Sequence, residues 1–85
     1  DETTAVSRDS LVGRVAVIVT GEAGQGSAAQ ARVRDGHGLT HYVMVEPDVT
    51  GDLFEQGSSV ILVRRDGAKY FAIRNTSESL GDVSR

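Results

Sequence analysis

The sequence predicts an all-β fold, a small five-stranded barrel closed or nearly closed on itself. Two patterns carry that expectation. Short stretches alternate apolar with polar residues or run together as β-branched residues, and glycine-bearing turn signals separate them. Closure follows from the same pattern. A flat sheet of these strands would leave an apolar face and two unpaired edges in water.

Each element can be justified in turn. From Val12 to Thr20, Val15, Val17 and Val19 share one face while Ala16 and Ile18 occupy the other, giving a first strand apolar on both sides. Gly21 to Gly26 is too rich in glycine for regular structure. Ser27 and the alanines after it could open a helix, since serine caps and alanine propagates. A second strand is the better reading: Ala29, Ala31 and Val33 alternate with Gln30, Arg32 and Arg34 and lead straight into a turn. That turn is Asp35-Gly36-His37-Gly38, in which Asp-Gly is expected to supply the positive φ of a tight hairpin. His41, Val43 and Val45 against Tyr42 and Met44 form a third strand, expected to stop at Pro47 for want of an N–H donor. Asp48 to Ser58 then crosses over, with Leu53 and Phe54 expected to plug the barrel end and Gly57 to turn the chain back. Val60 to Arg65 is the fourth strand, Asp66-Gly67 the second hairpin, and Ala68 to Arg74 the fifth strand. In that last strand Phe71 and Ile73 share one face and Tyr70 and Ala72 the other. The first and fourth strands are the most apolar and are expected to be the most buried.

The 85 residues allow one small domain, which makes a compact core necessary. Without cysteine there is no disulfide framework and no thiolate chemistry. No apolar run approaches the roughly 20 residues of a membrane-spanning helix. The chain starts at Asp1, without methionine or a basic-then-apolar leader, and reads as a mature form or an excised domain. Its formal charge of −3 lies in two polar ends, 1–10 and 76–85, which read as linker and tail. The folded unit is expected over 11–75, where seven cations balance seven acids.

Few residue constellations carry chemistry. The strand VAVIVT before GEAGQGSA suggests a phosphate loop, but no lysine follows the last glycine, and Lys69 is the chain's only one. His37 and His41 are four apart, which on a strand separates their Cα atoms by about 13 Å, too far for one shared ion. His37 reads as a turn residue and His41 as a hydrogen-bonded rim residue. The serines lie in tails and loops, with no strained elbow beside a base. Glu46 and Asp48, flanking Pro47, read as solvated surface acids. No catalytic, metal-binding or cofactor-binding residue is assigned, and the domain reads as non-enzymatic. Nucleic acid is the main rival function, because small five-stranded barrels bind single strands with arginines and exposed aromatics. Arg32, Arg34, Arg64, Arg65, Lys69 and Arg74 would have to form that face, against a balancing set of acids.

The segment LVGRVAVIVTG, from Leu11 to Gly21, resembles the opening strand of the soluble C-terminal domain of NfeD-like membrane proteins. The lead-in Thr3-Thr4-Ala5-Val6, the Asp35-Gly36-His37-Gly38 hairpin and HYVMVEP from His41 to Pro47 are similar to the YqiJ-type branch. So are GSSVILV from Gly57 to Val63, KYFAI from Lys69 to Ile73, and Asn75. The resemblance implies an OB-like barrel that follows several transmembrane helices in a bacterial inner membrane protein, on the cytoplasmic face. It also implies association with a flotillin or stomatin-type (SPFH) membrane scaffold, and it brings no catalytic residues and no cofactor. A non-catalytic assembly domain, with possible self-association, is therefore the leading expectation. Its candidate surface is Arg32, Arg34, Tyr42, Arg64 and Tyr70, chosen because interfaces favour tyrosine and arginine.

Overall fold

The computed structural model describes residues 11–76. The segments expected as linker (1–10) and tail (76–85) lie outside the described residues, save Thr76. Five strands follow one another: β1 (Val15–Thr20), β2 (Ala29–Arg34), β3 (Thr40–Pro47), β4 (Ser59–Asp66) and β5 (Lys69–Arg74). They close into a barrel in the order β1-β2-β3-β5-β4, with β4 returning to β1. Every ladder is antiparallel except β3 with β5, which is parallel. Among the described residues no element is α-helical, so the Ser27 alternative resolves to strand.

The interior takes every second residue of each strand. Ala16 and Ile18 of β1, Ala29, Ala31 and Val33 of β2, Val45 of β3, Val60 and Leu62 of β4, and Tyr70 and Ala72 of β5 are all buried. Their neighbours face outward, and this alternation corrects one expectation. β1 and β4 are no more buried than the other strands, because Val15 is 50% exposed and Val17, Val19, Ile61 and Val63 are only half-buried. A barrel this small has no outer layer of helices to cover its second face.

The barrel end is closed by one aromatic rather than two residues. Phe54 is fully buried and bridges Ala23 through reciprocal backbone hydrogen bonds of 2.9 Å, whereas Leu53 remains 48% exposed. The neighbouring Gly24 and Ser27 exchange hydrogen bonds of 2.8 and 3.0 Å, so the glycine-rich loop is a tied turn. Gly57 has φ +91° and donates to the Ile18 carbonyl at 2.7 Å, performing the expected turn into β4.

Strand ends shift by one residue in β3, β4 and β5, and three further departures from the sequence expectation have a local physical reason. β1 begins at Val15 rather than Val12, since Leu11 to Gly13 form a turn before it. The β2–β3 turn takes its positive φ at Gly38 (+84°), not at Gly36. Gly36 instead leaves room for Arg14, whose guanidinium would lie 3.1 Å from an added Cβ. Third, β3 runs through Pro47, which pairs with Ala72 of β5. The alternation of strand hydrogen bonds explains why proline is tolerated. Asp48 donates to the Ala72 carbonyl at 2.8 Å, so even-numbered residues of β3 face β5 and odd-numbered ones face β2. The N–H that Pro47 lacks would point past Ala29, where β2 has not begun.

Two buried acids fasten the turns. Asp35, 4% exposed, accepts hydrogen bonds through Oδ1 from the N–H groups of His37 and Leu39, at 2.8 and 2.9 Å. Its Oδ2 lies 2.8 Å from Nε2 of His41, which is therefore the hydrogen-bonded rim histidine expected from the sequence. The His41 bond pulls the Asp35 carboxyl from 3.8 down to about 2, with the two N–H donors assisting and burial opposing. Glu46, 8% exposed, receives the Lys69 ammonium at 2.6 Å and the Gly26 N–H at 3.2 Å. Lys69 in the first place, then Gly26, holds this carboxyl below its ordinary range against the desolvation that raises it.

Removing Phe54 should open the barrel end. Phe54→Ala is expected to cost about 3–5 kcal/mol in urea unfolding, enough to leave so small a domain largely unfolded. Acid should act through the two buried carboxylates. Both have folded values below their unfolded ones, so the stability they contribute is present above the unfolded values and is lost as pH falls through the folded ones. For Asp35 that window runs from 3.8 down to about 2. Urea midpoints measured between pH 5 and 2 should therefore fall with acidification, and Asp35→Asn should flatten that fall. An unchanged slope in Asp35→Asn would show that the turn does not depend on the carboxylate.

Candidate interaction face

The outward side chains of β1, β2 and β3 form a continuous face. Register sets its rows: Ser59 of β4, Val17, Arg32 and Tyr42 lie side by side across four strands. Next to that row, Gln30 of β2 pairs with Met44 of β3. Tyr42 is 60% exposed and Met44 41% exposed, because nothing described packs over them. At one end of the face is a shallow depression of about 700 Å³. It is lined by the apolar Val12, Val15 and Val17 and the cationic Arg14, Arg32 and Arg34.

These three arginines differ from the other cations. Among the described residues none of them is in an ion pair; Arg34 donates only to the Gly38 carbonyl, at 3.1 Å. Elsewhere on the barrel the cations are committed. Arg64 donates to Asp48 at 3.0 Å and lies 3.9 Å over the Phe71 ring. Lys69 is held by Glu46, Arg65 donates to the Gly67 carbonyl, and Arg74 donates to the Leu53 carbonyl while lying over Phe54. The six cations considered for a nucleic-acid face are therefore split, with Arg32 and Arg34 on one surface and four bound locally around β4 and β5.

The candidate surface residues separate in the same way. Arg32, Arg34 and Tyr42 share the β2–β3 face. Arg64 lies on β4 beside Phe71, engaged with Asp48. Tyr70 is not a surface residue: it is 1% exposed and among the largest side chains of the core. The sequence pairs Tyr70 with Ala72 on one face of β5 and Phe71 with Ile73 on the other, without saying which points inward. The two cations reaching over Phe71, Arg64 and Lys69, place that ring outside. Glu46, read as a solvated acid, is buried and holds Lys69 instead, whereas Asp48 is exposed as expected and holds Arg64 there. A lysine or arginine two strands away is the only sequence signal for such a pair, and register is needed to see it. Among the described residues no cluster of three metal-ligating side chains occurs.

In five-stranded OB barrels the face of strands 2 and 3 is where oligonucleotides and oligosaccharides are bound. The family model for the OB-fold domain of inner membrane protein YqiJ matches residues 10–73. No curated protein and no solved structure matches the chain. The match spans every strand of the barrel, from the turn before β1 to Ile73 of β5, and the chain belongs to the YqiJ OB-fold family of inner membrane proteins.

Proposed function

We propose that this barrel is a non-catalytic assembly module, which docks a flotillin or SPFH-type membrane scaffold through the outer face of β1–β3 on the cytoplasmic side of the membrane. The observation that carries the reading is Tyr42. It is 60% exposed and directly opposite Arg32, which has no ionic partner among the described residues. Exposed tyrosine beside unpaired arginine, with valines alongside, is the composition from which interface hot spots are built. The non-catalytic part rests on the two buried acids. Asp35 and Glu46 are occupied by His41, Lys69 and backbone N–H groups, so neither has a free proton-transfer position in a cavity. The scaffold partner follows from the family resemblance, and the cytoplasmic side from the same source.

Nucleic acid is the second reading, favoured only by Tyr42 lying beside Arg32. It would demand a longer run of phosphate contacts than Arg14, Arg32 and Arg34 provide.

Co-purification of the parent membrane protein with its scaffold tests the assembly reading. Tyr42→Ala with Arg32→Ala should weaken recovery of the partner by roughly thirtyfold, as losses of about 2 kcal/mol at hot spots imply. Unchanged recovery with a parent protein lacking the whole barrel would end this reading. Titration of the isolated barrel with single-stranded DNA or RNA at low salt should produce no shift, and salt-sensitive binding there would favour the second reading instead.

A further inference from the structure

Among the described residues the ladder between β3 and β5 leaves the first half of β3 unpaired. β3 pairs with β2 from Thr40 to Val45, but β5 joins its other side only from Met44 onward. Among the described residues Thr40 to Val43 therefore form an edge without a second strand. The hydrogen-bond alternation of β3 identifies which groups that edge presents. At one end Asp35 donates to the Leu39 carbonyl at 2.9 Å, and at the other Asp48 donates to the Ala72 carbonyl at 2.8 Å. Odd-numbered residues thus face β2 and even-numbered residues face away from it. Thr40 and Tyr42 direct their N–H and C=O groups outward, ahead of the point where β5 begins.

We infer that Thr40–Val43 is a strand-addition site, which takes an extended segment of a partner protein whose residues alternate apolar with acidic. This deepens the assembly reading by naming how the partner is held. Three observations specify the segment. The outward backbone groups of Thr40 and Tyr42 can be satisfied by an added strand about 4.8 Å away. Val43, only partly buried at the margin of the core, offers a contact to the apolar residues on the inner side of such a strand. On the outer side the added residues come alongside Tyr42, with Arg32 and Arg34 one strand farther in and without acidic partners among the described residues. The one acid among the outward positions of β1–β3, Glu46, is paired with Lys69. A second copy of this chain would add further arginines to the same face and no unpaired acid from β1–β3, so charge favours an acidic partner over self-association.

The test uses the 85-residue chain and an end-capped octapeptide of alternating glutamate and valine, with amide exchange followed by NMR. Millimolar peptide should slow exchange at Thr40 and Tyr42 by roughly tenfold or more, with little change at His41 and Val43, whose N–H groups face β2. Thr40→Pro removes a donor from the open side alone and should weaken binding while leaving the thermal transition in place. Independently of any folding effect, the same peptide N-methylated at alternate backbone positions should not bind. The proposal would be overturned by no protection at Thr40 and Tyr42, by equal binding of the N-methylated peptide, or by equal binding of a lysine–valine repeat. Protection that appears without peptide and grows with protein concentration would also overturn it, in favour of a second copy. Equal binding of the N-methylated peptide would leave the face itself as the docking surface, whereas failure of assembly would show separately in the co-purification.

Discussion

The rest of this structure depends on closing five strands around a narrow interior. Such a barrel has room for side chains only if small ones alternate with large ones across it. Ala16, Ala29, Ala31 and Ala72 supply the small positions, and Ile18, Leu62, Val33, Val45, Val60 and Tyr70 supply the large ones. Phe54 then closes the end, against Ala23 from the glycine-rich loop. Once these residues point inward, the pleat leaves no choice about their neighbours. Val15, Val17, Arg32, Arg34 and Tyr42 are displayed because the interior has already taken the alternate set.

The electrostatics divide along the same line. Around β4 and β5 three cations meet opposite or aromatic partners: Arg64 with Asp48 and Phe71, Lys69 with Glu46 and Phe71, and Arg74 with Phe54. On β1 and β2, Arg14, Arg32 and Arg34 have no acid beside them among the described residues. A barrel whose charges balance in sum is thus uneven over its surface. An acidic ligand would sense the local excess and not the total.

The fold was largely legible because strand periodicity and turn chemistry are local. The alternation of Ala29 to Arg34 and the Asp66-Gly67 hairpin both survive into the structure, the latter as a two-residue turn with Gly67 at φ +64°. What could not be read was whatever depends on partners distant in the chain. Tyr70 and Phe71 are adjacent, equally aromatic and equally suited to either face, and only β5's position between β3 and β4 decides between them. Glu46 resembles a surface acid until register brings Lys69 and Gly26 to it. Pro47 resembles a strand end because its missing donor is visible in sequence and the absence of an acceptor opposite it is not. For the candidate surface, Arg32, Arg34 and Tyr42 follow from β2 and β3 alternating against each other, a local pattern. Tyr70 was misplaced because the two charged residues of its strand, Lys69 and Arg74, fall on opposite faces and so do not orient it.

The two ladders that close the barrel are short, and they are its most distant in sequence. β1 meets β4 over three residue pairs and β3 meets β5 over four, whereas the meander β1–β2–β3 and the hairpin β4–β5 are held by neighbouring segments. The chain is therefore two locally formed pieces joined by the connection from Asp48 to Ser58. Closing the ring requires both short ladders to form together, since either alone leaves the other half of the core in water. That places the folding barrier at the docking of the two pieces, where the loop-closure entropy must be met before the core is gained. Glu46, which ties β3 to Lys69 on the far piece, becomes a latch that engages only after docking. Substitutions there should change the rate of unfolding more than the rate of folding.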